Sequence, residues 1–215
     1  GINSVTTPLM WVRSWIYLAA FLTWTVGTAV MCLPTLLSKR WALATTRMWI
    51  RGVMALARTI VGIDCITAGR DNLPQGACVI AAQHQSSYET YRLFLELDRP
   101  IFILKRELTY IPFVGWFITR MGLIGIDRSA GATAMRKMLR DVQAVLDDGH
   151  QVIIFPEGTR TSPGTVRPYR RGVAALYTHC TAPVIPMALN SGYFWGKSRV
   201  LKRPGTIAFH FLPAL

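Results

Sequence analysis

At 215 residues the chain is long enough for one domain with a sizeable core and too short for a multidomain organisation. Hydrophobic residues make up 51% and charged residues only 16%, which leaves more apolar surface than a globule of this size buries and directs part of it to lipid. Twenty-four Lys+Arg against 11 Asp+Glu give a net charge of +13, an excess that seeks phosphates on nucleic acid, anionic lipid or a small substrate without choosing among them.

The chain begins at Gly1 rather than Met and ends at Leu215 directly after a strand-like run, so terminal elements beyond either end are expected. Residues 14–38 carry no charge, and about 24 helical residues at 1.5 Å each reach roughly 36 Å, enough for a hydrocarbon core of about 30 Å. The run is too long for a signal peptide, and no A-x-A-like site follows it. Gly27 and the cluster of Thr23, Thr25 and Thr28 interrupt it, so a spanning helix and a bent helix dipping into one leaflet both fit. Arg13 on one side against Lys39, Arg40, Arg47 and Arg51 on the other places everything after Ser38 in the cytoplasm by the positive-inside tendency. Over residues 41–60 the arginines at 47, 51 and 58, with Arg40 just before, fall within about 40° of one another on a helix. Trp49, Val53, Leu56 and Ile60 lie away from that stripe, which predicts a basic amphipathic helix on an anionic membrane surface; a core helix with a solvated face is the alternative. Residues 1–62 are thus expected to form membrane-anchoring helices ahead of a catalytic domain at 63–215.

After a turn-rich stretch at 69–74, short apolar runs alternate with helical patterns: Cys78–Ala82, 101–104, 151–155, 183–189 and 206–212 read as strands. The alternation predicts an α/β fold, a mixed, largely parallel sheet flanked by helices. Residues 130–148 predict a scaffold helix with Ala134, Met138, Val142 and Val145 on its apolar side and Gly149 as its stop. Cys32, Cys65, Cys78 and Cys180 show no C-x-x-C spacing and no metal-ligand spacing from any histidine, so they read as reduced, mostly buried thiols, and no metal is expected. Serine hydrolase, zincin and nucleotide-binding motifs are missing.

Two constellations carry chemistry. The first is His84-Gln85-Ser86-Ser87-Tyr88-Glu89, directly after the strand Cys78–Ala82, at the carboxyl edge where open α/β sheets place their sites. Five residues are about 140° around a continuous helix, so His84 and Glu89 meet only if a turn at Gln85 and Ser86 precedes a helix start. In that arrangement the carboxylate binds one imidazole nitrogen and leaves the other free to accept a proton, a base with its orienter and no protein nucleophile. Ser86-x-x-Glu89 is equally a capping box, and one carboxylate has oxygens enough for both roles. Ser86 and Ser87 fit helix capping better than nucleophilic attack. The second constellation, Phe155-Pro156-Glu157-Gly158-Thr159-Arg160, ends a strand in a kinked turn bearing one acid and one base; an ordinary strand exit with surface charges is the alternative.

The two constellations, in this order and about seventy residues apart, resemble the blocks of the glycerolipid acyltransferase family, most closely its bacterial 1-acyl-sn-glycerol-3-phosphate acyltransferases. The likeness extends through Lys105-Arg106-Glu107-Leu108 with Ile111-Pro112 and Gly115-Trp116, Gly125-Ile126-Asp127-Arg128, and Val184-Ile185-Pro186-Met187-Ala188. Where the family's first block usually ends in Asp this chain has Glu89, and Tyr88 replaces a Trp. The resemblance implies His84 as general base for the acceptor hydroxyl and Glu89 as its orienter. It assigns Lys105, Arg128 and Arg160 to the acceptor phosphate, and Glu157, Gly158 and Thr159 to the glycerol side of the acceptor. It further implies lysophosphatidic acid as acceptor at a membrane phospholipid surface, acyl-CoA or acyl carrier protein as co-substrate, no bound cofactor, and a place on the bacterial inner membrane with the site facing the cytoplasm. Acylation of glycerol-3-phosphate or another lysolipid is the nearer alternative. A non-enzymatic basic membrane binder is the more distant one, and no nucleic-acid motif supports a nucleic-acid partner.

Overall fold

The computed structural model describes residues 6–126 and 131–215. The Thr7 hydroxyl accepts the Met10 N–H and Pro8 occupies the first turn, where its missing N–H costs nothing, so helix α1 (Pro8–Met31) starts ahead of the uncharged stretch and takes in Arg13. It stops before Pro34, which opens a 3-10 turn (Leu33–Leu37). Helix α2 (Lys39–Leu56) follows, extended by one π turn (Ala57–Val61) that Gly62 ends at φ +81°.

α1 and α2 form a hairpin closed by tryptophans. A Cβ on Gly52 would lie 2.3 Å from the Trp24 ring, so only glycine lets the indole lie flat on α2. The Trp24 indole N–H donates to the Trp49 carbonyl at 2.9 Å, and the Trp49 indole N–H donates to the Thr25 hydroxyl at 3.1 Å. Lower on α1, the buried Ser14 hydroxyl accepts the Lys202 N–H at 3.0 Å and Tyr17 meets Trp195 edge-on at 5.3 Å. One face of α1 is therefore fastened along the body.

The membrane-surface expectation for α2 needs correction. Ile50 and Val53 are buried in the main core, with Trp49, Leu56 and Ile60 packed against it, so the apolar stripe covers the sheet. A largely parallel sheet has two apolar faces to hide, and this helix hides one of them. The basic face is partly occupied as well: Arg47 donates to the Leu97 and Asp98 carbonyls at 3.2 and 2.7 Å, and Arg58 pairs with Asp64 at 2.8 Å. Arg40 and Arg51 remain exposed.

The sheet contains β1 (Ile63–Ala68), β2 (Cys78–Ala82), β3 (Pro100–Lys105), β4 (Ile124–Ile126), β5 (Gln151–Ile154), β6 (Val184–Leu189) and β7 (Gly205–Phe211). Their order is β1-β7-β6-β2-β5-β3-β4; every neighbouring pair is parallel except β6 and β7. β1 and β4 are the edges, and neither was expected from the sequence. Among the described residues β1 pairs with β7 alone, from Ile63 opposite Gly205 to Ala68 opposite His210. The helices α3 (Tyr88–Glu96), α4 (Val114–Met121), α5 (Gly131–Asp147) and α6 (Arg171–His179) complete the fold.

Period-two alternation divides the core. Ile80, Ala82, Ile153, Ile185 and Met187 share one cluster with Val53 of α2 and Leu93 of α3. Val79, Val152 and Ile154 point the other way, joining Val142 and Leu146 of α5 and Leu176 of α6. Of the free cysteines only Cys78 is buried; Cys32, Cys65 and Cys180 are half-buried, fewer than expected. The central strand β2 lies between β5 and β6, so the chain leaving Ala82 emerges beside the chain leaving Ile154.

Gly52→Ala should lower unfolding stability by about 1–3 kcal/mol through overpacking against Trp24. Gly27→Ala, with nothing within 4 Å of the new methyl, should be neutral or stabilising by up to about 1 kcal/mol. Chemical denaturation of both variants checks this, and equal effects would mean that the hairpin does not depend on the close approach.

Candidate active site

The edge of β2 turns sharply because Ser86 Oγ accepts the Tyr88 N–H at 2.9 Å and so opens α3. Tyr88 is buried, and Glu89, in the first helical turn, is fully buried. Glu89 Oε1 accepts the Gln85 and Ser86 backbone N–H groups, both at 2.7 Å, and lies 2.9 Å from His84 Nδ1. Its other oxygen, Oε2, accepts the hydroxyls of Ser86 at 2.5 Å and Ser191 at 2.7 Å. The capping and orienting roles thus coexist on one carboxylate. Burial would raise the Glu89 carboxyl above its ordinary range, but the hydrogen bond and charge of His84 and the donors of Ser86 outweigh it and hold the group ionised and low.

The His84 ring stacks on Phe155, the residue following β5, with ring centres 4.1 Å apart and planes 21° from parallel. Its backbone is held by the second constellation: the Thr161 N–H and hydroxyl donate to the His84 carbonyl at 2.7 and 3.2 Å, and Glu157 Oε2 accepts the His84 N–H at 3.4 Å. The imidazole is therefore fixed by α3 on one side and by the loop after β5 on the other. Nε2 makes no hydrogen bond among the described residues, and the side chain is 21% exposed. An imidazole with Nδ1 on a carboxylate and Nε2 without a protein partner among the described residues is arranged to take a proton from a bound hydroxyl.

The other residues singled out from the sequence fall around this centre at different distances. Glu157 is buried against the His84 backbone. Gly158, at φ +65°, donates its N–H to the Phe155 carbonyl at 2.9 Å and closes the turn in a conformation that favours glycine. Thr159 and Arg160 are exposed. The Lys202 ammonium is pushed down to about 8, first by burial and then by the Arg160 charge. The Lys202 ammonium donates to the carbonyls of Ser198, Arg199 and Val200 and lies 5.0 Å over the Trp195 ring. Lys105 is exposed at the carboxyl end of β3, with β5 between it and β2; like Arg160, it makes no hydrogen bond to His84 or Glu89. Arg128 lies outside the described residues. Ser191, Thr161 and Lys202 escaped sequence reasoning. Thr161 directly follows the second constellation, a usable signal for a side chain bonding back to backbone. Ser191 and Lys202 act at separations of 102 and 188 residues from their partners, where no local pattern exists.

Comparison with known proteins accords with this geometry. The sequence profile described as acyltransferase matches residues 65–190. The chain is 38% identical over 167 residues to a 1-acyl-sn-glycerol-3-phosphate acyltransferase of Pseudomonas aeruginosa, covering 78% of this chain and 65% of that protein. It is 28% identical over 194 residues to the alpha 1-acyl-sn-glycerol-3-phosphate acyltransferase of Mus musculus, covering 88% of this chain and 68% of that one. The chain thus spans about 65% of the length of the bacterial relative. The crystal structure of the 1-acyl-sn-glycerophosphate acyltransferase of Thermotoga maritima superposes with a TM-score of 0.70 over 96% of this chain and 84% of that one, at 19% identity, a likeness of fold. Because the profile spans more than half of its length and includes His84, Glu89 and the turn after β5, the chain belongs to the acyltransferase family.

Proposed function

We propose that this chain transfers a fatty acyl group from a thioester donor, acyl-CoA or acyl carrier protein, to the sn-2 hydroxyl of lysophosphatidic acid, producing phosphatidic acid and a free thiol. The observation that carries the reading is the His84 imidazole, bonded through Nδ1 to the buried Glu89 carboxylate with Nε2 unoccupied among the described residues at the carboxyl edge of the central strand. Nε2 takes the proton of the acceptor hydroxyl as its oxygen attacks the thioester carbonyl. Glu89 stabilises the imidazolium that forms. The tetrahedral intermediate collapses with cleavage of the carbon–sulfur bond, and the departing thiolate takes the proton from the imidazolium. No acyl-enzyme is needed. Arg160 and Lys105, exposed at the same edge, are suited to the acceptor phosphate, Arg160 as a bidentate partner and Lys105 as a point charge; Arg128 takes part on the strength of the resemblance. The names of the bacterial and mouse relatives support this acceptor.

The lipid substrate and the surface of α1 support work at a membrane, the bacterial relative supports an inner membrane, and the charge asymmetry about residues 14–38 supports its cytoplasmic side. α1 is 24 residues long and apolar enough to cross a bilayer. Yet Ser14, Tyr17 and Trp24 fasten it along the body, while Trp15, Leu22, Val26 and Met31 are exposed. A helix packed lengthwise on a catalytic body cannot also stand across a bilayer, so we read it as lying in one leaflet with its outer face in lipid. Leu37, Trp41 and Trp116 add exposed apolar area, and the exposed Arg40 and Arg120 suit an anionic leaflet.

His84→Ala should lower acceptor-dependent thiol release by about 100-fold or more, with lysophosphatidic acid as acceptor and acyl-CoA and acyl carrier protein donors each supplied. Equal activity in both proteins would remove His84 from the mechanism, and equal rates with lysophosphatidylcholine would remove the phosphomonoester from recognition. For the membrane reading, a Leu22→Glu, Val26→Glu variant should co-sediment with phosphatidylglycerol-containing vesicles about tenfold less than the parent. Unchanged sedimentation would place the contact elsewhere.

A further inference from the structure

Oε1 of Glu89 is occupied by the turn it orients, His84, Gln85 and Ser86, whereas Oε2 depends on two hydroxyls, one local and one from the far side of the central strand. That distant hydroxyl belongs to Ser191, on the 3-10 turn (Ser191–Tyr193) that follows β6. We propose that Ser191 is a positioning residue for acyl transfer: it fixes the Glu89 carboxylate plane and, through it, the direction in which His84 presents Nε2. The proposal rests on the His84 mechanism above.

Ser191 is fully buried, so it touches no substrate and cannot be a nucleophile. Among the described residues its hydroxyl bonds to Glu89 Oε2 alone, at 2.7 Å. An ionised carboxylate is an acceptor on both oxygens, and each needs donors on its own side to keep the plane from rotating about its last carbon–carbon bond. Rotation would swing Oε1 off Nδ1 and tilt the imidazole. The turn itself does not need the hydroxyl. The Ser191 carbonyl accepts the N–H groups of Phe194 and Trp195 at 3.1 and 2.8 Å, and the Gly192 N–H donates to Gln85 Oε1 at 2.9 Å. A Cβ at Gly192 would come within 3.0 Å of Pro163 and Gln85, so this turn is wedged against the catalytic one. Removing the hydroxyl therefore isolates its effect on the carboxylate.

The test compares the parent chain with Ser191→Ala and with Ser191→Cys, which restores volume but donates weakly. Acceptor-dependent kcat should fall about tenfold in both with KM within about twofold, the signature of a misaimed group rather than lost binding. A carboxylate one donor poorer holds the imidazolium proton more tightly, so the acid limb of the pH–rate profile should move to higher pH. Glu157, the other carboxylate touching the His84 turn, is unchanged in these variants. The hydrogen-bonded Nδ1–H proton resonance of His84, identified by its loss in His84→Ala, should exchange faster with water, a readout that needs no turnover. Unchanged kcat and unchanged exchange in Ser191→Ala overturn the proposal, as does a kcat loss that merely follows a lower melting temperature with the pH profile in place. Faster exchange in the variants, alongside a parent chain that turns over no acceptor, would sink the acyl-transfer reading and leave the positioning intact.

Discussion

A carboxylate sealed away from water must be met by fixed donors or it takes up a proton, and Glu89 is the point where this requirement shapes the molecule. Desolvating a charge costs several kcal/mol, whereas hydrogen bonds to a charged group contribute about 1.5–3 kcal/mol each. Three donors on Oε1 and two on Oε2 are enough to decide the balance in favour of the ionised form. They come from the turn after β2 and the turn after β6 and meet a carboxylate carried by the start of α3, so three separate elements must converge before the histidine acquires a partner. The sheet order makes the convergence possible by placing β6 and β5 on either side of β2. Phe155 then covers a face of the imidazole, while Thr161 holds the His84 backbone.

The apolar excess of the sequence is spent in two places. α2 turns its apolar stripe inward and completes a sheet face, while α1 uses one face for the body and leaves tryptophans and aliphatic side chains outside. A single helix thus belongs to both the protein core and an exposed apolar surface. Its attachments, Ser14 to Lys202 and Trp24 to Trp49, are polar as well as apolar, and they keep the outer face in a fixed orientation relative to the sheet edge that carries His84.

Much of this was legible in the chain. The runs at 78–82, 151–154 and 184–189 are short and nearly all apolar, the mark of strands covered on both faces, and they read correctly as such. β1 was not legible: Asp64 and Thr67 interrupt its pattern because an edge strand buries only part of one face, and the three residues of β4 are too few to show a period. The direction of the α2 stripe was also beyond the sequence, since a helix that faces a sheet and one that faces lipid carry the same period. His84 and Glu89 were visible because five-residue spacing after a strand demands a turn. Ser191 was invisible because a lone serine after a strand carries no signal until the fold brings it to a partner 102 residues away.

The pairing of β1 with β7 bears on how the chain is made. β1 follows directly on the α1–α2 hairpin, yet its only strand partner among the described residues is β7, the last of the described strands. As synthesis proceeds, α1 and α2 can pair while β1 still has an open backbone edge, and that edge closes only when residues 205–211 leave the ribosome. The long loop that this pairing closes is slow to form, so the helical hairpin and its exposed apolar face exist before the sheet is complete. The apolar outer face of α1 is therefore presented before the site is assembled, and the helix proposed to lie in lipid is made before the sheet that carries the site.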